Sequence, residues 1–291
     1  MRKFLKWLIV LCAIILIIAL VSINIFATFF TGQNSQILSY FNDLNTRVHI
    51  DYIEFEDTQI RCIRTGPEDN TLPLILFIHG APGSAFDYKE YLADYDLKSQ
   101  FRLVSMDRLG YGHSDFGHSE INIERHARAA ATVIQSFENQ TVFVVSHSYG
   151  CPVAGKLAAD YPDLLKGFIM LAPLNDPNSE PLPLYSIFAH SIIGKLVLPT
   201  FIDVASDEKI RHAESLRQIE NDWSKISVPV LHIHGEKDGL APFRANVTFS
   251  QNNINPTVLS LRTEKNMGHL LLWLNAGYVK SQMLNFISKN S

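Results

Sequence analysis

The spacing of hydrophobic and polar positions changes several times along the chain, and each change marks a different kind of element. Trp7 to Phe30 is an uncharged, mostly apolar run in which Ser22, Asn24 and Thr28 are the notable polar breaks. Thr31 to Asn45 is polar and shows no clear period. From Val48 to Thr65 two alternating stretches, VHIDYIEF and QIRCIRT, flank Glu56-Asp57 and predict an antiparallel hairpin. Strand–helix alternation follows. Buried strands are predicted at Leu74–Ile78, Phe101–Met106, Val142–Val145, Gly167–Leu171, Val228–Ile233 and Thr257–Leu261. A mixed helix is expected over Ser84–Lys98, an amphipathic one over Ile123–Phe137 and a closing one over Asn275–Ile287. Repeated units of this kind predict an α/β fold, a mostly parallel sheet with helices on both faces.

One segment breaks the alternation. Pro173 to Ser227 carries no strand signal; it opens on the proline-rich PLNDP and PLP, continues with apolar pieces over Tyr185–Leu198, and ends in a charged helix over Asp207–Trp223. A connection this long inside a compact domain is usually a functional insertion, and residues 174–226 are expected to form a small helical cap. Its aromatic and Leu-rich positions, Tyr185, Phe188, Leu196 and Phe201, divide between cap core and pocket lining.

The N-terminal run adds an attachment. As a helix its 24 residues would span about 36 Å, enough to cross a hydrocarbon core of roughly 30 Å. A cleaved signal peptide is the rival, but its apolar region is normally about 7–15 residues and ends in a small-x-small site. The expectation is an uncleaved transmembrane anchor over residues 1–30, a stalk over 31–47 and the main domain over 48–291. Arg2, Lys3 and Lys6 would keep the N-terminus cytoplasmic and put the domain on the extracytoplasmic side of the membrane.

Charge and cysteine usage narrow the partners. Without those three basic residues the rest of the chain carries 22 Lys+Arg against 29 Asp+Glu, a net charge of −7. No basic patch appears, so nucleic acid is not an expected partner. Cys12, Cys62 and Cys151 do not form a disulfide pattern. Asn139 and Asn246 begin glycosylation-type triplets of the kind that occur by chance in a chain of 291 residues.

The candidate chemistry centres on Thr141 to Tyr161, TVFVVSHSYGCPVAGKLAADY. A buried strand turns within Ser146-His147-Ser148-Tyr149-Gly150 and continues as a helix, with the small residues Ser146 and Gly150 placed two positions either side of Ser148. This resembles the nucleophile elbow of the α/β-hydrolases, with serine in place of the usual first glycine. The family's order of nucleophile, acid and histidine continues downstream. Asp238 lies in HGEKDG after the strand Val228–Ile233, and His269 lies in Met267-Gly268-His269 after Thr257–Leu261. Glu236 and Asp176 stay open as alternative acids.

By the same resemblance, the oxyanion would be held by the backbone N–H groups of Tyr149 and of Ala81, in His79-Gly80-Ala81-Pro82-Gly83. His79 reads as a structural residue of that loop, and DRLGYGHS at 107–114 as a glycine-rich rim turn. His232-x-His234 puts two imidazoles on one strand face, but a metal site is not expected and no cofactor is implied. Serine at the elbow fits esterases, lipases, thioesterases, some peptidases and carbon–carbon bond hydrolases. The family's epoxide hydrolases and haloalkane dehalogenases use aspartate there. The resemblance therefore implies a serine hydrolase acting on a small-molecule, lipid-like or acyl ester. The alternatives are a carbon–carbon, amide or thioester hydrolase on the same triad, or a catalytically silent binding protein on the same fold.

Overall fold

The computed structural model describes residues 2–138, 141–180, 184–192, 194 and 198–291. Side chains at 2–3, 5, 20–21, 23–31 and 184–185 also lie outside the description. Leu196, and the triplet opening at Asn139, therefore fall outside it, as does the side chain of Tyr185.

The hairpin forms as expected, with β1 His49–Phe55 paired antiparallel to β2 Thr58–Thr65 around Glu56-Asp57. Six further strands follow: β3 Leu74–Ile78, β4 Arg102–Met106, β5 Val142–His147, β6 Gly167–Leu171, β7 Val230–Gly235 and β8 Leu259–Glu264. They join the hairpin in one eight-stranded sheet ordered β1-β2-β4-β3-β5-β6-β7-β8. From β4 onward every pairing is parallel. The sequence places the last strand two to three residues too early. β8 is a sheet edge whose second half, Arg262-Thr263-Glu264, is polar and largely exposed, so an apolar run underestimates its reach.

Alternation along the strands divides the core into two layers. Leu74, Leu76 and Ile78 pack on one face against helices α5 Ile123–Ser136 and α6 Gly150–Asp160. Ile75 and Phe77 pack on the other against Tyr88, Tyr91, Leu97 and the closing helix Ala276–Asn290, through Val279, Met283 and Ile287. The helix expected over Ser84–Lys98 is a 3₁₀ turn followed by α3 Lys89–Ala93 and α4 Tyr95–Gln100. Asp94 stops α3 and caps α4 by accepting a hydrogen bond from Leu97 N–H.

The N-terminal region departs from expectation. Helix α1 covers Arg2–Thr31, but among the described residues no helix is long and apolar enough to cross a membrane. Nor are residues 31–47 a loose stalk. Helix α2, Asn34–Asp43, buries Ile37 and Phe41 in the second core layer. Arg61 in β2 also reaches back to the Gly32 carbonyl (2.6 Å) and Asn34 Oδ1 (3.0 Å) while paired to Asp107 at 2.6 Å. Two apolar residues four apart are too few to stand out as a periodic signal, although they suffice to dock one short helix face.

Between β6 and β7 the regular elements among the described residues are helical, α7 Leu184–Ala189 and α8 Thr200–Gln218, followed by a 3₁₀ turn at Glu220–Lys225. Phe201 is buried and Phe188 is exposed. A helix the sequence does not single out, α9 Phe243–Asn253, joins β7 to β8.

Candidate active site

The strand β5 ends at His147 and α6 begins at Gly150, leaving two residues to reverse the chain. Ser148 absorbs the reversal with φ of +52°, a left-handed conformation that costs a non-glycine residue free energy and persists only where the surroundings enforce it. The surroundings are close. A methyl group on Gly150 would stand 2.5 Å from the Ile78 carbonyl oxygen, and one on Gly80 would stand 3.1 Å from Ser148 Cβ. Both glycines are therefore required for backbone to pass backbone here. Ser146 stays small and donates its hydroxyl to the Ile169 carbonyl (3.0 Å).

Three residues far apart in sequence meet at this turn. Ser148 Oγ lies 3.0 Å from His269 Nε2, and His269 Nδ1 lies 2.9 Å from Asp238 Oδ2. Asp238 Oδ1 accepts the backbone N–H groups of Leu240 (2.9 Å) and Ala241 (2.8 Å). Burial alone would raise the Asp238 pKa. Hydrogen bonds from His234 and His269, with the charge of His269 and the Ala241 N–H, outweigh it and hold the carboxyl well below the usual carboxylate range. The alternative acids are elsewhere. Glu236 is exposed, and Asp176 spends its oxygens on Asn178 N–H and the Ser179 hydroxyl of its own turn. His147 bonds the His269 carbonyl through Nε2 (3.0 Å), and burial beside His269 pushes its pKa down to about 3, so it stays neutral.

The loop expected to supply an oxyanion donor is held from behind. Arg108 N–H donates to His79 Nε2 (2.9 Å), Arg108 Nε to the His79 carbonyl (3.0 Å) and Nη2 to the Gly80 carbonyl (3.0 Å). The His79 ring is wholly buried, with Nδ1 2.7 Å from the Gly80 carbonyl, and burial holds its pKa well below the ordinary histidine value. It is structural. The same guanidinium binds Glu208 of α8 through Nη1 (2.6 Å) and Nη2 (3.1 Å), and Tyr111 adds its hydroxyl to Glu208 at 2.6 Å. Arg108 thus ties the loop under Ala81 to the insertion above it. The Tyr149 ring stacks on His212 of α8 at 4.3 Å, a second tie. Sequence reading takes the 107–114 run as a rim turn and misses Glu208 altogether, because one acid in a charged amphipathic helix gives no signal of burial.

Two further sequence features, the histidine pair on β7 and the triplet at Asn246, take structural places. His232 and His234 share a strand face, but their ring nitrogens bond each other and Asp238. Among the described residues no group of three metal-ligating side chains forms. Asn246 is buried, its Oδ1 accepting Asn175 and Asp176 N–H and its Nδ2 donating to the Pro242 carbonyl, so it is no sugar acceptor in the folded chain.

Asp87, beside the oxyanion loop, sets a pH dependence. Burial, with the nearby Asp107 charge, pushes its carboxyl up to about 7 against the Ser84 N–H bond that favours ionisation. The folded state therefore keeps a proton that the unfolded chain loses above about pH 4, and stability falls as pH rises from there through 7. Asp87→Asn removes this slope. Because Asp87 is partly exposed, a gain of only ~1–2 kcal/mol is expected at pH 8 and almost none at pH 4, read by urea titration.

Comparison with known proteins bears on the fold that carries these residues. Residues 73–192 match the family model described as alpha/beta hydrolase fold. The fold of the chain is that of the α/β-hydrolases. A solved structure of a membrane phospholipase A, described as a bacterial virulence factor, superposes with a TM-score of 0.66 over 99 % of both chains at 16 % identity. The carboxylesterase CesB of Bacillus subtilis gives 0.66 over 86 % of this chain and 95 % of its own, at 18 % identity. These likenesses concern the fold. Among curated proteins, "Probable lysophospholipase BODYGUARD 4" of Arabidopsis thaliana is 31 % identical over 107 residues, 36 % of this chain and 26 % of its own. Epoxide hydrolase B of Mycobacterium tuberculosis is 28 % identical over 118 residues, 38 % of this chain and 32 % of its own. The chain thus spans about a quarter to a third of the length of these curated relatives.

Proposed function

We propose that this α/β-hydrolase is a serine hydrolase that cleaves carboxylic esters through an acyl-enzyme. The observation that carries the reading is the unbroken contact from Ser148 Oγ through His269 to Asp238, at 3.0 and 2.9 Å, on an elbow whose nucleophile has positive φ. A serine hydroxyl is a weak nucleophile at neutral pH and needs a base in hydrogen-bond reach, itself oriented by a third group. In this reading His269 Nε2 takes the Ser148 proton as Oγ attacks the ester carbonyl, then returns it to the leaving alcohol. Asp238, an acceptor, keeps the His269 proton on Nδ1 and so leaves Nε2 free to act as base. The backbone N–H groups of Tyr149 and Ala81 receive the oxyanion; among the described residues neither is taken up by a protein acceptor. Water then releases the acyl group.

Serine at the elbow separates this chain from the epoxide hydrolases among its relatives, whose family uses aspartate at that position. A lipid-like acyl substrate is favoured by the apolar residues exposed next to the acid and base, Leu240, Leu270, Trp273 and Leu274, and by the exposed Ile187 and Phe188 of the insertion. The relatives described as a lysophospholipase and a membrane phospholipase point the same way. Attachment to a membrane by α1, with the domain on the extracytoplasmic side, is part of the proposal, supported by the exposed apolar side chains between Phe4 and Ile18.

A fluorophosphonate probe on the full chain in detergent, followed by peptide mapping, tests the chemistry. Label on Ser148 that vanishes in Ser148→Ala is the expected result. A folded chain that stays unlabelled overturns it in favour of a binding protein.

A further inference from the structure

Behind Asp238 runs a line of buried polar side chains that the reaction does not touch. His232 and His234 lie two apart on β7 and so on one face of the strand. Ser250 Oγ of α9 lies 3.0 Å from His232 Nδ1, and His232 Nε2 lies 3.1 Å from His234 Nδ1. His234 Nε2 lies 3.1 Å from both Asp238 Oδ2 and the Ala241 carbonyl. All three members are fully buried, and the Phe243 ring closes the side of His234 at 5.6 Å.

The direction of these bonds follows from their far end. An ionised carboxylate and a carbonyl can only accept, so His234 Nε2 carries a proton. A neutral His234 then offers a lone pair at Nδ1, which only a proton on His232 Nε2 can satisfy. That leaves His232 Nδ1 as an acceptor for the Ser250 hydroxyl. Burial and the neighbouring His234 hold His232 well below the ordinary histidine pKa, consistent with a neutral ring. Every proton in the line points toward Asp238.

The geometry points to His234, backed by His232 and Ser250, as a positioning residue for the acid of the proposed triad. Its Nε2–H fixes Asp238 Oδ2 against His269, and the two residues behind it lock the tautomer that keeps this donor in place. This inference rests on the serine-hydrolase reading. Rotation about the Cβ–Cγ bond moves both carboxylate oxygens together, so that swing is opposed at Oδ1 by the backbone N–H groups of Leu240 and Ala241 and at Oδ2 by two side-chain donors, His269 and His234. Of those two side chains, His234 is the one that opposes the swing without taking part in proton transfer.

Two measurements on the full chain test it. Histidine ¹⁵N–¹H spectra are expected to show His232 and His234 as neutral Nε2–H tautomers; a His234 protonated at Nδ1, alone or in addition, overturns the inference. In hydrolysis of an activated p-nitrophenyl ester, His234→Phe keeps the shape and loses the donor. It is expected to lower kcat roughly tenfold to a hundredfold with little change in KM. His234→Gln, whose amide can donate to Asp238, is expected to recover most of that loss. Ser250→Ala is expected to lower kcat about twofold to fivefold and to introduce a second His234 tautomer in the spectra, the lock having been removed. A folded His234→Phe with wild-type kcat, or a Gln variant no better than Phe, overturns the positioning role. A wild-type chain that neither hydrolyses ester nor labels at Ser148 would sink the hydrolase reading and any catalytic part for His234 with it. The tautomer spectra would still decide separately whether the line is ordered as described.

Discussion

Asp238→Asn is expected to lower kcat for ester hydrolysis by roughly 10⁴ while leaving KM and the fold almost unchanged, the scale known for this change in a serine-protease triad. The reason lies in what the carboxylate faces. Its Oδ1 is fixed by the N–H groups of Leu240 and Ala241, so an asparagine would keep its carbonyl oxygen there. That puts the amide NH₂ at the Oδ2 position, against His269 Nδ1 and His234 Nε2. Two donors cannot face an N–H. His269 would shift its proton to Nε2, the nitrogen 3.0 Å from Ser148 Oγ, and would no longer be a base for it. Steady-state kinetics on a p-nitrophenyl ester, with circular dichroism to confirm folding, reads this directly. An Asn variant within tenfold of wild type would remove Asp238 from the proposed role.

Glu208→Leu is expected to destabilise the chain by roughly 3–5 kcal/mol, because it strands a buried guanidinium without its counter-charge. Arg108 and Glu208 are both fully buried and joined by two hydrogen bonds, with the Tyr111 hydroxyl on the same carboxylate. Burial alone would raise the Glu208 pKa, yet Arg108 and His126 bring it down to about 2. Its contribution is therefore present at neutral pH and lost only as pH falls from about 4 toward 2. For a domain of this size the loss corresponds to a melting temperature lower by about 10 °C. The double variant Arg108→Met with Glu208→Leu is expected to regain part of the stability, since no charge is left unpaired. It is not expected to regain hydrolysis, because Arg108 also holds the His79 and Gly80 carbonyls under the oxyanion loop. Melting curves of the single and double variants separate the two effects. A single variant as stable as wild type would mean that this bridge does not hold the insertion to the domain.

The strands were legible because burial on both faces demands continuous apolar runs such as LILFI and VFVV, and few other contexts do. The elbow was legible for a local reason too, since a strand cannot reverse into a helix within two residues without small neighbours, and Ser146 and Gly150 supply them. Where chain order alone carried the reading, as with Asp238, Glu236 and Asp176, several acids remained open. Residues that act through long-range contacts left no mark. Glu208 sits in a helix that looks like any charged amphipathic one, and Ile37 and Phe41 dock a segment whose polar composition suggests a tether.

The sequence by itself determined the layered α/β fold and the elbow at Ser148, because strand burial and turn geometry are local demands on residue type; Asp238 and His269 joined Ser148 only through the resemblance to the α/β-hydrolases, with Glu236 and Asp176 left open. Which acid meets His269, that two strand histidines line up behind that acid, and that Arg108 joins the oxyanion loop to the insertion were decided only by the tertiary structure. The Arg108–Glu208 bridge joins residues 100 positions apart and the His269–Asp238 bond residues 31 apart, and the chemistry of all three appears only when burial removes water as the competing partner.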